Sequence, residues 1–137
     1  MIVVDASIAV KWFIPEEGTK YAHQVLEEYD HLVAPELIRI EVISAITKAV
    51  RTGRIEREKA EESCRDWQSV VDKGIITLIP DSLHLETATT LSLDLTHAFQ
   101  DCIYLAIAKK STASLVTLDK KMLDKAKLCQ VETIKPV

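Results

Sequence analysis

The chain has 137 residues, 47% of them hydrophobic, which suits one domain over residues 1–137 with a core of its own. No apolar run approaches the roughly 18 residues of a membrane span. The apolar start carries Asp5 and Lys11 in place of a secretory signal's basic lead and cleavage site, so the expected location is cytoplasmic, with no membrane partner.

In chain order, Ile2-Val3-Val4 is a short apolar run stopped by Asp5, the pattern of a buried strand, and a helix from Ser7 ends at Pro15. Residues 16–29 have the acidic start and the spacing of a second helix, and residues 31–34 make a brief strand closed by Pro35. Residues 36–51 form a long amphipathic helix with Ile38, Val42, Ile46 and Ala49 on one side and Glu41 in a stripe with Leu37, Ser44 and Lys48 on the other. Residues 56–72 form its hairpin partner, ended by Gly74 in a left-handed cap. Residues 75–79 are β-branched and apolar, Ser82 is expected to cap a helix reaching Leu95, and a helix runs from about Phe99 to Lys110. A strand at 114–118, a helix at 120–127 and an edge strand at 131–134 complete the chain. Continuous apolar strands alternating with helices predict an α/β fold, a three-layer α/β/α sandwich around a central, mostly parallel sheet. In such a sheet the ligand crevice lies at the carboxyl ends of the strands.

Four acidic residues fall at or near such places. Asp5 closes the first strand, and Asp119 closes Leu115-Val116-Thr117-Leu118; judged alone, each reads as a helix cap. Asp101 heads Cys102-Ile103-Tyr104-Leu105-Ala106-Ile107-Ala108, a helix apolar enough to be buried, where a carboxylate needs a partner. Glu41 alone reads as part of a solvated helix face. A helix dipole offsets a first-turn charge by only about 0.3–1 kcal/mol, too little for several carboxylates gathered together, whereas a divalent cation is enough. Phosphodiester hydrolysis needs an activated water, a screened phosphate and a stabilised leaving oxygen, and one or two Mg²⁺ ions held by hard oxygen ligands supply all three.

Other candidates carry less. Charge is unevenly distributed: residues 1–101 hold 10 basic against 18 acidic side chains, net −8, and residues 102–137 hold 7 against 3, net +4, within an overall −4. Lys109, Lys110, Lys120, Lys121, Lys125 and Lys127 therefore make either a phosphate-attracting face, for which RNA affinity should weaken with salt, or a pair of solvated helix ends. Cys64, Cys102 and Cys129 form no CxxC pair and read as reduced, buried thiols. His23, His31, His84 and His97 have no zinc-ligand spacing, and His97 reads as a loop or helix-entry residue. Trp12 and Phe13 are candidates for a partner surface.

Ile2-Val3-Val4-Asp5-Ala6-Ser7-Ile8-Ala9-Val10-Lys11-Trp12 resembles the opening of PIN-domain proteins, especially VapC toxins. Pro35-Glu36-Leu37 with Glu41-Val42, Asp101 with Tyr104 to Ala108, and Val116-Thr117-Leu118-Asp119 resemble the family's next three acidic motifs, in the same order and over essentially the whole chain. The resemblance implies a Mg²⁺- or Mn²⁺-dependent endoribonuclease, usually a homodimer, held inactive by a cognate VapB-like antitoxin. It implies Asp5, Glu41, Asp101 and Asp119 as metal ligands and catalytic acids, with Ser7 and Thr117 orienting a carboxylate or a water. Two positions depart from the family: Ser44 stands where many relatives carry asparagine, and Phe99-Gln100 replaces the aromatic residue usual just before the third aspartate. The alternatives are a PIN nuclease of RNA processing, a non-catalytic PIN-like scaffold and a phosphoacceptor receiver domain; Asp5-Ala6-Ser7 lacks the adjacent acidic pair that a receiver needs.

Overall fold

The computed structural model describes residues 1–134. Strand β1 (Ile2–Val4) leads into helix α1 (Ala6–Ala9), which tightens into a 3₁₀ turn at Val10–Trp12. Next come α2 (Thr19–Glu28), β2 (Leu32–Pro35), α3 (Ile38–Arg51), α4 (Arg57–Asp72) and β3 (Ile76–Ile79). A 3₁₀ turn at Asp81–Leu83 precedes α5 (Leu85–Leu95), α6 (Phe99–Ser111), β4 (Ser114–Val116) and α7 (Lys120–Leu128).

The four strands pair in parallel in the order β3-β2-β1-β4. Successive strand residues point to opposite faces of a sheet. Val3 and Val4, and likewise Leu115 and Val116, are all wholly buried, so both faces are covered and the layers are α/β/α as expected. Helix α6 packs across β1, β2 and β4, while α4 packs on β3 and on α3. From β1 the chain proceeds to β2 on one side and returns as β4 on the other. The gap beyond the carboxyl ends of β1 and β4 is therefore a topological switch point, where open α/β sheets place their ligands.

Two expectations shift in the structure. Ser82 caps no helix: residues 81–83 form a separate 3₁₀ turn, because the Asp81 carboxylate is turned back to accept the Leu37 N–H at 3.1 Å, and α5 starts at Leu85. The edge strand at 131–134 is reduced to one bridge, Leu115 with Thr133, held by hydrogen bonds from Leu115 N to Glu132 O and from Ile134 N to Leu115 O. Trp12 and Phe13, the candidates for a partner surface, are both partly exposed. Trp12 Nε1 donates to the Ala22 carbonyl at 2.8 Å, and Phe13 sits edge-on between Trp12 and the buried Trp67, so the aromatic residues tie α1 to α2 and α4.

Gly74 has φ +72, the left-handed end to α4 that the sequence predicts. Gly18, at φ +90, is required by space as well as by backbone: a Cβ there would lie 2.8 Å from Leu118 Cδ1 and 3.3 Å from Lys11 Cε. Among the described residues, no helix is long and apolar enough to cross a membrane.

Candidate metal centre at the switch point

Asp5 follows β1 directly and is 6% exposed. It precedes α1 in the position of a cap, yet its side chain makes no capping bond there. Its Oδ2 instead accepts hydrogen bonds from Ser7 Oγ at 2.8 Å and Thr117 Oγ1 at 2.7 Å. A hydroxyl has one proton to give. Both protons go to Asp5, so the 3.3 Å approach of Ser7 to Thr117 has no proton of its own. Each hydroxyl also accepts a backbone N–H, Ser7 from Leu118 at 3.2 Å and Thr117 from Asp119 at 3.0 Å. The ends of β1 and β4 are thereby joined through one buried carboxylate.

Glu41 enters from α3. Tyr104, fully buried on α6, donates its phenol to Glu41 Oε1 at 2.6 Å. Burial above all keeps the Tyr104 phenol protonated, and the charges of Asp5 and Glu41 push the same way, so it acts as a fixed donor. Asp101 sits in the first turn of α6, with His97 Nε2 at 3.1 Å from its Oδ2. That contact has the distance of an ion pair but not the alignment of a hydrogen bond, so His97 Nε2 is buried without a hydrogen-bond partner. Asp119 is exposed and caps α7: its Oδ1 accepts from Lys121 N at 2.8 Å and Met122 N at 3.3 Å, leaving Oδ2 uncommitted.

The electrostatics join these groups into one site. Burial pushes the Asp5 carboxyl above the usual carboxylate range, against the pull of Thr117 and Ser7, and the charge of Asp101 pushes it further. Burial also raises Glu41, against the Tyr104 hydrogen bond, with added repulsion from Asp5 and Asp101. Asp101 is raised by burial, lowered by His97 and raised again by Asp119. Carboxylates that repel one another at the end of a buried sheet favour a nearby positive charge. The donor set is all oxygen, which fits Mg²⁺ or Mn²⁺ and not zinc. Among the described residues, no three Asp, Glu, His or Cys side chains stand close enough together to hold an ion directly. Mg²⁺ keeps several of its waters, so carboxylates spaced for mixed direct and water-mediated contact are compatible with it.

The remaining candidates separate by position. Lys120 and Lys121 begin α7 beside Asp119, whereas Lys109 and Lys110 end α6, eight and nine residues past Asp101, about 12–14 Å away along a helix. Lys109 Nζ donates to the Cys129 carbonyl at 2.9 Å and Lys110 Nζ to the Leu83 carbonyl at 3.4 Å, as helix-end lysines commonly do. The six lysines thus form no continuous face at the carboxylates. Cys102 is buried, and desolvation with the charge of Asp101 pushes its thiol up to about 11, so it is no nucleophile; Cys129 is buried too, while Cys64 is only partly so.

Sequence reasoning missed Tyr104 and His97. His97 lies in the loop before α6, as its sequence suggested, and it meets Asp101 across the helix entry, where helical spacing gives no signal. The pairing of Tyr104 with Glu41 spans 63 residues and had none. Removing the Tyr104 hydroxyl as Tyr104→Phe takes away a hydrogen bond to a charged group, worth about 1.5–3 kcal/mol. The expected outcome is a Glu41 that is less well placed and a chain less stable by that amount, with the folded circular-dichroism spectrum retained and a lower melting temperature in thermal melts.

A parallel sheet whose switch point carries a hydroxyl-held aspartate, with further carboxylates on the neighbouring helices, defines an α/β protein with an acidic crevice. The chain belongs to the PIN-domain family, whose profile matches residues 2–128. It is similar to ribonuclease VapC3 of Pyrobaculum aerophilum, 26% identical over 125 residues that make up 90% of this chain and 93% of that one. Among solved structures, a second P. aerophilum protein superposes with a TM-score of 0.72 at 21% identity, over 96% of this chain and 82% of that one. A toxin–antitoxin complex from Klebsiella pneumoniae gives 0.71 at 18% identity, over 100% of this chain and 98% of that one. These two likenesses are of fold.

Proposed function

We propose that the protein is an endoribonuclease dependent on Mg²⁺ or Mn²⁺ and the toxin half of a toxin–antitoxin pair, with RNA as substrate, a VapB-like antitoxin as inhibitor and a homodimer as its working state. The observation that carries the reading is the buried Asp5 carboxylate, held by Ser7 and Thr117 at the switch point of a PIN-domain chain, with Glu41, Asp101 and Asp119 on the adjoining elements. The name of the VapC3 relative and the toxin–antitoxin title of the Klebsiella structure support the RNA and antitoxin parts. Asp5, Glu41, Asp101 and Asp119 would hold one or two ions, which when bound supply charge stabilisation for phosphodiester hydrolysis. Ser7 and Thr117 hold the Asp5 carboxylate in one orientation, Tyr104 fixes one oxygen of Glu41 and leaves the other to face the site, and His97 steadies Asp101. Lys120 and Lys121, beside Asp119, would meet RNA phosphates in this reading; Lys109 and Lys110 belong to it only if the RNA extends past the far end of α6.

The test is cleavage of a structured RNA pool by the purified chain. Cutting is expected with Mg²⁺ or Mn²⁺ and should disappear in EDTA. Cutting that persists at full rate in EDTA, or no metal binding by calorimetry together with no cutting, would remove the proposal in favour of a contaminant or a non-catalytic scaffold.

A further inference from the structure

A cleft of about 580 Å³ opens between α1 and α3, within the size range of small-ligand sites. Ser7 and Glu41, from the carboxylate site, form part of its wall, and Lys11, Lys48 and Arg54 form another part. Lys48 lies seven residues past Glu41 on α3, two turns or about 10 Å along the axis, so the cations continue away from the carboxylates along the same helix.

Two of the three cations are already taken. Lys11 Nζ lies 2.6 Å from Glu16 Oε1, and the Arg54 guanidinium pairs with Glu16 Oε2. One carboxylate therefore presents two oxygens to two separate cations, much as the two free oxygens of a phosphodiester would. Lys11 is held for the purpose: its side chain is 13% exposed and its stem lies against Gly18, where even a methyl group would crowd it. Arg54, just past the left-handed Gly53, is 51% exposed and free to swing. The Arg54 pair is of the exposed kind that contributes little to stability, so Glu16 is weakly held on that side.

We propose that Lys11 and Arg54, flanked by Lys48, form a subsite for an RNA backbone phosphate beside the one being cut, and that Glu16 occupies this subsite as a built-in competitor. The inference rests on the ribonuclease reading above. RNA entering the cleft displaces Glu16, so the unaltered chain binds RNA more weakly and with less salt dependence than its cations allow.

The experiment is fluorescence anisotropy of a labelled single-stranded RNA in EDTA, where no cutting is expected, across a range of salt concentrations. Glu16→Gln should tighten binding about three- to tenfold at low salt and steepen the plot of log affinity against log salt by about 0.7 for each phosphate gained. Adding Arg54→Gln to that variant should abolish the gain. Glu16→Asp, too short to reach both cations, should give a smaller gain and serves if the glutamine variant does not fold. Unchanged affinity and slope in a variant that melts normally would overturn the proposal, as would an equal gain in affinity for a polyglutamate peptide, which would mark the cleft as a site for acidic protein segments. Cleavage by the unaltered chain with Mn²⁺ separates the two levels. Cutting with no effect of Glu16→Gln overturns the subsite alone, while neither binding nor cutting by any variant overturns the nuclease reading as well.

Discussion

Replacing Asp5 by asparagine is expected to abolish RNA cleavage and, in the same protein, to raise the melting temperature of the metal-free form at neutral pH. The loss should exceed the roughly 10–100-fold typical of residues that only support a metal ligand, because Asp5 is the deepest carboxylate and all its neighbours orient it. The gain in stability follows from linkage. Burial and the charge of Asp101 raise the folded-state pKa of Asp5, so the folded chain holds that proton more tightly than the unfolded chain does. For an acid shifted upward, the stabilising contribution is complete below the unfolded value, near 3.9 for aspartate, and is lost as pH rises through the folded value. Glu41 and Asp101 are shifted the same way. Metal-free protein should therefore lose stability on going from about pH 4 to neutrality, and Asp5→Asn should flatten that fall, because it removes one buried charge and relieves the repulsion felt by Glu41. Melting curves in EDTA between pH 4 and 8 check it. A variant that melts below the unaltered protein at every pH, or that still cleaves, would contradict the assignment of Asp5 as a carboxylate awaiting a cation.

How far the site was legible depended on the distance over which each residue's partner acts. Val3 and Val4, or Leu115 and Val116, announce a strand covered on both faces because neither alternate position is polar, and the parallel sheet follows from such runs alternating with helices. Asp5 was visible because it interrupts such a run. Its role was not, since capping and ligation look alike in sequence; the side chain caps nothing and is held by the hydroxyl of Thr117, 112 residues away. Asp119 shows the opposite outcome, being a true cap that keeps one oxygen free. The misplaced start of α5 has the same origin: Ser82 has the local chemistry of a cap, but Asp81 is drawn to a backbone N–H on a distant turn. Charge counting placed the lysines of α6 and α7 in one basic segment, and the fold divides them: Lys120 and Lys121 begin α7 beside Asp119, while Lys109, at the end of α6, reaches the Cys129 carbonyl at the far end of α7.

Thr117→Val should cost both stability and activity although the two side chains have nearly the same shape. Thr117 is 1% exposed, and its hydroxyl stands between the buried Asp5 carboxylate at 2.7 Å and the Asp119 N–H at 3.0 Å. Valine leaves that N–H without a partner and Asp5 with Ser7 as its remaining hydroxyl donor. A buried polar group left unsatisfied costs about 1–3 kcal/mol, and loss of a partner that orients a metal ligand typically costs about 10–100-fold in metal affinity or activity. Since the Thr117 hydrogen bond holds the Asp5 pKa down, its removal moves that pKa further up, and the acidic limb of the cleavage profile should move to higher pH with it. Ser7→Ala should do less, because Ser7 is partly exposed and water can replace it. Thr117→Ser restores the hydroxyl and should recover most of the rate and of the urea midpoint. A purely steric role for Thr117 predicts the reverse order, with valine tolerated and serine, which leaves a methyl-sized gap, the damaging change. The relative rates and urea midpoints of these two variants decide whether the switch point is held by packing or by a proton shared with Asp5.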